Sequence, residues 1–424
     1  MQYWGYSSFR PLQEDIIKSV YDGRDTLGLL PTGGGKSLTF QVPAMAIKGI
    51  CLVITPLIAL MKDQVANLNK RGIKAVAIHS GLSKEEIDIT FDNCIYGDFK
   101  FLYLSPERLN TEMFKVRVEK MDVNLIAVDE SHCISQWGYD FRPSYLKIAE
   151  IRELIPEVPI LALTATATPR VVEDIMERLK FTEKNVFQKS FERKNLTYQV
   201  DHIEDKSRRL LNYCQDIKGS VIVYVRNRKK TREISDFLNA NKITADYYHA
   251  GLSHEMRNVK QEEWQKGKKK IIVATNAFGM GIDKPDVRLV AHVDLPDSPE
   301  AYFQEAGRAG RDEKPAIAVL LYSKSDRLMA EKRIDTTFPD LTTIKDVYHA
   351  LGNFLQVPVG AGKGQSYDFI LADFLRQYKF NALIAHSALK ILQREGYIDL
   401  SDEIHNPSRV HFKVQRDDLY KFQV

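Results

Sequence analysis

From about residue 25 to 335, short apolar runs alternate with amphipathic stretches of helical length. The runs predict strands at 25–30, 51–54, 75–78, 101–104, 125–128 and 160–163, and a second set at 221–225, 245–248, 271–274, 288–293 and 316–321. Runs nearly continuous in Val, Ile and Leu, separated by helices, imply parallel sheets covered on both faces. The chain also repeats itself. His79-Ser-Gly-Leu-Ser83 recurs as His249-Ala-Gly-Leu-Ser253, a shift of 170 residues. The same ungapped shift carries Glu85 onto Glu255, Gly97 onto Gly267 and the run at 101–104 onto that at 271–274. Two α/β lobes of similar fold, joined near residues 190–200, account for this better than one large doubly wound sheet.

Composition narrows the class only a little. A length of 424 residues accommodates two or three domains. With 60 basic and 56 acidic residues the net charge is +4, which fits a nucleic-acid enzyme with one basic groove and equally an ordinary soluble enzyme. Cys51, Cys94, Cys133 and Cys214 are far apart in sequence, so neither a disulfide framework nor a zinc cluster is expected. The longest apolar run, 49–61, is interrupted by Thr55 and Pro56, and no signal peptide opens the chain, so the expected setting is the cytoplasm, with no membrane partner.

The run at 25–30 leads into Pro31-Thr32-Gly33-Gly34-Gly35-Lys36-Ser37 and then a helical pattern. The glycines let the backbone curl so that its N–H groups and a helix N-terminus face an anion. Lys36 supplies charge for β- and γ-phosphates, and Ser37 a hydroxyl for Mg²⁺. The strict phosphate-loop spacing would place a glycine at Leu30, so this is a shorter variant. Farther on, Leu125-Ile-Ala-Val-Asp129-Glu130-Ser-His132 is an apolar strand ending in two carboxylates. Ligands of parallel sheets bind beyond the carboxyl ends of strands. There Asp129 would hold Mg²⁺ and Glu130 would orient and deprotonate an attacking water. A separate loop, Ser135-Gln-Trp137-Gly-Tyr139-Asp-Phe141-Arg142-Pro143, combines faces for base stacking with a cation for phosphate. Lying just past His132, it is placed to relay a nucleic-acid signal to Glu130.

Asp129-Glu-Ser-His132 resembles the Asp-Glu-x-His box of superfamily 2 helicases. The set Phe9-Arg-Pro-Leu-Gln13, Thr55-Pro-Leu-Ile-Ala-Leu60, Leu163-Thr-Ala-Thr-Ala167 and Gln304-Glu-Ala-Gly-Arg308-Ala-Gly-Arg311 is similar to the RecQ family of DNA helicases, in the family's order over about residues 3–335. The resemblance implies two tandem RecA-like lobes, ATP and Mg²⁺ as cofactors, and single-stranded and partly duplex DNA as partners. It implies 3′-to-5′ movement, duplex unwinding in recombination and repair, a monomer that other repair proteins accompany, and association with the nucleoid in a bacterium. Arg311 is then the arginine finger, with Arg308 and Gln304 beside it, and Arg10 and Gln13 read adenine. Tyr6 is placed either to stack on the base or to fill the core. In Ala274-Thr275-Asn-Ala-Phe-Gly279-Met-Gly281-Ile-Asp283 the glycines allow close backbone approach and Asp283 meets the ribose. Track contacts implied in the same way are Thr55, Gln64, His79, Ser105, Arg108, Asn227, Arg228 and Thr275, together with Trp137, Phe141 and Arg142 of the aromatic loop. Alternatives are an RNA helicase, or a clamp in which ATP switches binding without unwinding.

The expected division is lobe one at 1–190, lobe two at 191–335 and an accessory unit at 336–424. The family usually follows its motor with a four-cysteine zinc module. No cysteine follows Cys214, so no zinc is expected. Helical patterns at 343–355, 369–378 and 382–395, then β-like runs at 397–400 and 409–414, predict a winged-helix-like unit that binds duplex DNA or braces lobe two. The Gly-rich stretch Val359-Gly-Ala-Gly-Lys-Gly364 reads as a linker, because it lacks the Lys-Ser ending and a preceding apolar strand. The stop at Val424 without a polar tail suggests a piece of a longer protein.

Overall fold

A computed structural model describes residues 3–31, 33–79, 81–138, 140–279, 284–358, 360–400 and 408–412. Of the candidate residues, Thr32, Gly281 and Asp283 lie outside this set. The first lobe is built on β1 (Thr26–Leu29), β2 (Ile50–Ile54), β3 (Ala75–Ile78), β4 (Phe101–Leu104), β5 (Val123–Val128), β6 (Ile160–Thr164) and β7 (Val186–Gln188). They form a parallel sheet in the order β3-β4-β2-β5-β6-β1-β7. The second lobe uses β8 (Leu196–His202), β9 (Ser220–Tyr224), β10 (Ala245–Tyr248), β11 (Ile271–Ala274), β12 (Val287–His292) and β13 (Ala316–Tyr322). Its sheet, also parallel, runs β10-β11-β9-β12-β13-β8.

Continuous apolar runs are strands here because each sheet is covered twice. In β2, Cys51 and Val53 enter one core cluster while Ile50, Leu52 and Ile54 enter the other. In β9, Val221 and Val223 face one side, Ile222 and Tyr224 the opposite side. The repeat is a structural one. β2, β3 and β4 map onto β9, β10 and β11 at a shift of 170 residues, as does helix Ile58–Lys70 onto helix Arg228–Ala240. Even a local clamp recurs: Asn69 brackets Ala75 with hydrogen bonds of 3.1 and 3.0 Å, and Asn239 brackets Ala245 with two of 3.0 Å. β8 takes the place of β1 beside the next strand of its sheet, but only β1 leads into the glycine loop.

The contacts part between Tyr322 and Ser323. Helix Lys324–Thr337, expected with the second lobe, therefore belongs to the C-terminal unit, where it packs on helix Ala382–Arg394. That unit also holds helices Leu341–Phe354 and Leu371–Tyr378 and an antiparallel sheet of β14 (Ser366–Phe369), β15 (Ile398–Leu400) and β16 (Ser408–Phe412), ordered β14-β16-β15. From Leu341 on, helix–strand–helix–helix–strand–strand is the winged-helix order. Val347, Leu351, Phe369, Phe374, Leu389, Ile398 and Val410 fill its core. Positions 360–364 lead into β14 rather than a helix. All four cysteines are buried. Among the described residues no helix is long and apolar enough to cross a membrane.

Candidate active site

Three neighbouring strands of the first lobe, β5, β6 and β1, end on one edge, and each ending carries chemistry. After β1 the chain turns through Gly33 and Gly35, with φ of 78° and 76°, into helix Lys36–Ala46. The turn admits no side chains: a Cβ on Gly35 would lie 2.2 Å from Gln13 Nε2, and one on Gly34 2.8 Å from the Pro31 carbonyl oxygen. At Gly35 the reason is Gln13. Its Nε2 donates to the carbonyls of Gly34 and Gly35 at 3.1 Å each, and its Oε1 accepts from the Arg10 N–H at 2.8 Å. The Arg10 guanidinium donates to the Gly33 carbonyl. Both proposed base readers thus hold the loop itself, from the cleft wall. Tyr6 lies on the same wall, 59% exposed, and is no core residue.

After β5, Glu130 adopts φ 49°, a left-handed conformation uncommon for a residue with a Cβ. The turn leaves its carboxylate in the cleft, with Oε1 3.7 Å from Lys36 Nζ. Burial opposes ionisation of Glu130, but Lys36, His132 and Arg308 outweigh it and hold the carboxyl below its usual range. For Asp129, burial and the neighbouring Glu130 charge win over Lys36 and push the pKa up to about 6. A cation held there would reverse that balance. His132 stands behind the pair. Burial lowers its pKa, and its Nδ1 lies 2.9 Å from Thr164 Oγ1 and 3.4 Å from Glu130 Oε2. The Thr164 hydroxyl also donates to the Thr166 carbonyl at 3.2 Å, which leaves its oxygen free to accept from His132 in the tautomer with the proton on Nδ1. Thr164, seen in sequence only as part of a motif, is therefore the link between the end of β6 and the carboxylate box.

The second lobe closes the cleft. Gln304 on helix Pro299–Ala306, and Arg308 and Arg311 just after it, face Lys36, Ser37, Asp129 and Glu130 across a space of about 680 Å³. Arg311 lies along the glycine loop, its Cγ 3.4 Å from where a Cβ on Gly33 would be. Arg308 is buried, its Nε lacks a hydrogen-bond partner among the described residues, and its charge reaches Glu130. Gln261 and Gln265, which the sequence did not single out, line the same space from helix His254–Gln265. A glycine cradle, a lysine paired with a carboxylate and a buried guanidinium facing both across one cavity suit a triphosphate with its metal.

The expected track contacts fall into groups. The aromatic loop is hung from the carboxylate box: a Cβ on Gly138 would lie 2.4 Å from the His132 carbonyl oxygen, and Arg142 N–H donates to the Cys133 carbonyl at 2.8 Å. Trp137 is 57% exposed, with the Arg170 guanidinium 3.2 Å above its ring. Phe141 is half-buried and Arg142 pairs with Asp140 at 3.0 Å. In lobe one, His79, Ser105 and Arg108 gather after β3 and β4, with Arg108 Nη2 3.4 Å from the His79 carbonyl oxygen. In lobe two, Arg228 lies beside the loop of His249, the counterpart of His79 in the repeat. Burial, helped by Lys62 and Arg108, lowers the His79 pKa, and burial with Arg228 does the same for His249. Thr55 and Thr275 are buried at the ends of β2 and β11. Asn227 caps helix Arg228–Ala240 by accepting from Lys229 N–H at 2.7 Å. Gln64 departs from expectation: it lines the nucleotide cleft and accepts the Tyr103 hydroxyl at 2.8 Å.

Two parallel-sheet lobes that share one phosphate cleft, with an aromatic loop fastened to the carboxylate box, define a helicase of superfamily 2. Residues 10–175 match the DEAD/DEAH box helicase family and residues 205–313 the helicase conserved C-terminal domain. The chain belongs to the RecQ and RecS family of ATP-dependent DNA helicases. It is 35% identical to "Probable ATP-dependent DNA helicase RecS" of Bacillus subtilis, over 98% of this chain and 85% of that one. It is 44% identical to "ATP-dependent DNA helicase RecQ" of the same organism over 76% of this chain, but spans only 55% of that RecQ. The helicase Lhr of Mycobacterium smegmatis, solved with single-stranded DNA and AMP-PNP, shares the fold at a TM-score of 0.62 and 17% identity, over 96% of this chain and 59% of that chain.

Proposed function

We propose that this chain is an ATP-dependent DNA helicase that walks 3′ to 5′ on single-stranded DNA and opens duplexes during recombination and repair. One observation carries the reading: Lys36 and Glu130 of one lobe share a cleft with Arg308 and Arg311 of the other. ATP bound there draws the lobes together, hydrolysis releases them, and alternating grip becomes a step. Lys36 holds the terminal phosphates, Glu130 takes the proton of the attacking water, and His132 with Gln304 keeps that water and the phosphates in line. Arg311, beside Arg308, balances charge as the phosphoryl group leaves. Ser37 and Asp129 would hold Mg²⁺, which would neutralise charge on the phosphate oxygens.

Along the track, Thr55, Ser105 and Thr275 offer polar groups to phosphates, His79 adds a neutral imidazole, and Arg108 and Arg228 supply one positive charge in each lobe. Trp137 stacks on a base once Arg170 moves aside, Phe141 supports it, and the loop passes that event to His132. The winged-helix-like unit binds duplex DNA. The direction of travel, the role in repair, a monomeric state and a place on the nucleoid follow from likeness to the family.

The deciding experiment is ATP-driven strand displacement on duplexes with a 3′ or a 5′ tail. Displacement from the 3′-tailed duplex alone is expected. Displacement from the 5′ tail would reverse the polarity, stronger activity on RNA would make it an RNA helicase, and ATP-dependent binding without displacement would make it a clamp. A second expectation concerns the sensor. Because base stacking contributes about 1–3 kcal/mol, Trp137→Ala should lower DNA-stimulated hydrolysis by about tenfold or more. Unchanged stimulation in a phosphate-release assay would remove the sensor role.

A further inference from the structure

The two lobes are joined by residues 189–195, between β7 and β8. This linker makes a specific grip on the turn that carries the arginines. Arg193 Nη1 donates to the Gly307 carbonyl at 3.1 Å and Nη2 to the Gly310 carbonyl. Asn195 Nδ2 donates to the same Gly310 carbonyl at 2.8 Å and to that of Lys314 at 2.9 Å. Arg193 Nη2 lies 3.4 Å from Asn195 Oδ1, so the pair acts as one bracket. The carbonyls of Gly307 and Gly310 lie on either side of Arg308, and that of Gly310 immediately precedes Arg311. Gly310 must be glycine for this: its φ is 61°, and a Cβ would lie 2.6 Å from Asn195 Nδ2. The same linker, with Arg10, Gly33, Gly34 and Arg311, bounds a space of about 490 Å³ behind the phosphate loop.

We propose that Arg193, braced by Asn195, is the positioning residue that fixes the Gly307–Gly310 turn, so that bending of the inter-lobe linker moves Arg311 toward or away from the phosphates. A guanidinium is suited to this because its planar fork donates to two carbonyls at once, which a lysine cannot do in fixed geometry. The backbone bonds set where the turn lies, and the turn sets where Arg311 reaches. Arg193 itself touches no substrate. The inference rests on the ATPase reading given above.

The test compares wild type, Arg193→Ala, Arg193→Lys and Asn195→Ala as full chains with oligothymidylate present. For Arg193→Ala, kcat for ATP should fall about 10- to 100-fold with KM within about threefold, since a displacement of about 1 Å is enough for such a loss. Affinity for ADP–aluminium fluoride, which mimics the transferring phosphoryl group, should weaken about tenfold while AMP-PNP affinity holds within about threefold. Arg193→Lys should fall between Ala and wild type. Should Arg193→Ala not fold, Asn195→Ala and Arg193→Lys are expected to show the same split at smaller size. Wild-type kcat in the variants, or equal weakening toward both nucleotides, would overturn the positioning role. Failure of the wild type to hydrolyse ATP with DNA would instead overturn the ATPase reading.

Discussion

Lys36→Ala is expected to cut DNA-stimulated ATP hydrolysis by at least about 10²–10³, to background, while nucleotide-free binding to single-stranded DNA stays within a few-fold. Lys36 is the cation nearest the buried Glu130 carboxylate, at 3.7 Å, and the first of the charges that hold Glu130 ionised. Removing it withdraws the counter-charge for the phosphates and leaves burial, which favours the protonated acid, to weigh more heavily on Glu130. A protonated Glu130 cannot accept the proton of an attacking water, so the loss has two independent causes. DNA binding should survive, since Trp137, His79, Arg108 and Arg228 lie on elements other than the glycine loop and its helix. Phosphate release with saturating oligothymidylate and fluorescence anisotropy without nucleotide are the two measurements. Hydrolysis persisting at a tenth of the wild-type rate or more would take the phosphate site away from this loop; equal loss of DNA binding would mean that Lys36 holds the lobe's structure instead.

Most of the site was legible in the sequence because buried parallel strands are unbroken apolar runs and the chemistry lies immediately beyond them. β1, β5 and β11 were expected nearly at their observed bounds, so the loop of Lys36, the pair Asp129 and Glu130, and Thr275 stand just past strand ends, where the sequence reading had them. The repeat was legible as far as connection lengths stayed equal. β2 to β4 map onto β9 to β11 at 170 residues, whereas β5 onto β12 needs 164, because the stretch from Leu104 to Val123 is longer than that from Ala274 to Val287. β7 and β8 were missed. β8 pairs with β13 at the sheet edge and reads Leu-Thr-Tyr-Gln-Val-Asp-His, with polar residues between apolar ones. β14 has the same mixed character, Ser-Tyr-Asp-Phe.

Contacts made through the backbone left no sequence signal at all. Gln13 and Arg10 hold carbonyls of the glycine loop, and Arg193 holds carbonyls of Gly307 and Gly310, so neither grip requires a recognisable partner residue. Arg170 over Trp137 joins residues on different elements, and only the fold of helix Pro169–Arg178 against the loop brings them together. Gln64 has surroundings that its motif did not announce. Its motif neighbour Thr55 lies at the end of β2, but helix Ile58–Lys70 turns Gln64 toward Tyr103 and the nucleotide cleft.

Arg311→Ala carries the largest expected effect, a fall in kcat of about 10³–10⁵ with much smaller change in the affinity for ATP analogues. The side chain lies along Gly33 from the opposite lobe, so its guanidinium is delivered to the phosphates only when the lobes are together. Charge that spreads over the phosphoryl oxygens in the transition state is met by a planar, permanently ionised group, and Arg311→Lys should recover only a small part of the loss. The variant also separates two physical pictures of the molecule. With the lysine, the carboxylates and the glycine cradle intact, ATP still binds and still draws the lobes together, so nucleotide should continue to alter DNA affinity. Without the finger the closed state cannot discharge, and strand displacement should fall in proportion to hydrolysis. Arg311→Ala would thus turn a motor into an ATP-switched clamp. If hydrolysis survived within about tenfold of wild type, Arg308 would have to be the group that meets the developing charge. If displacement survived without hydrolysis, the coupling of one cleft to movement along DNA would be wrong.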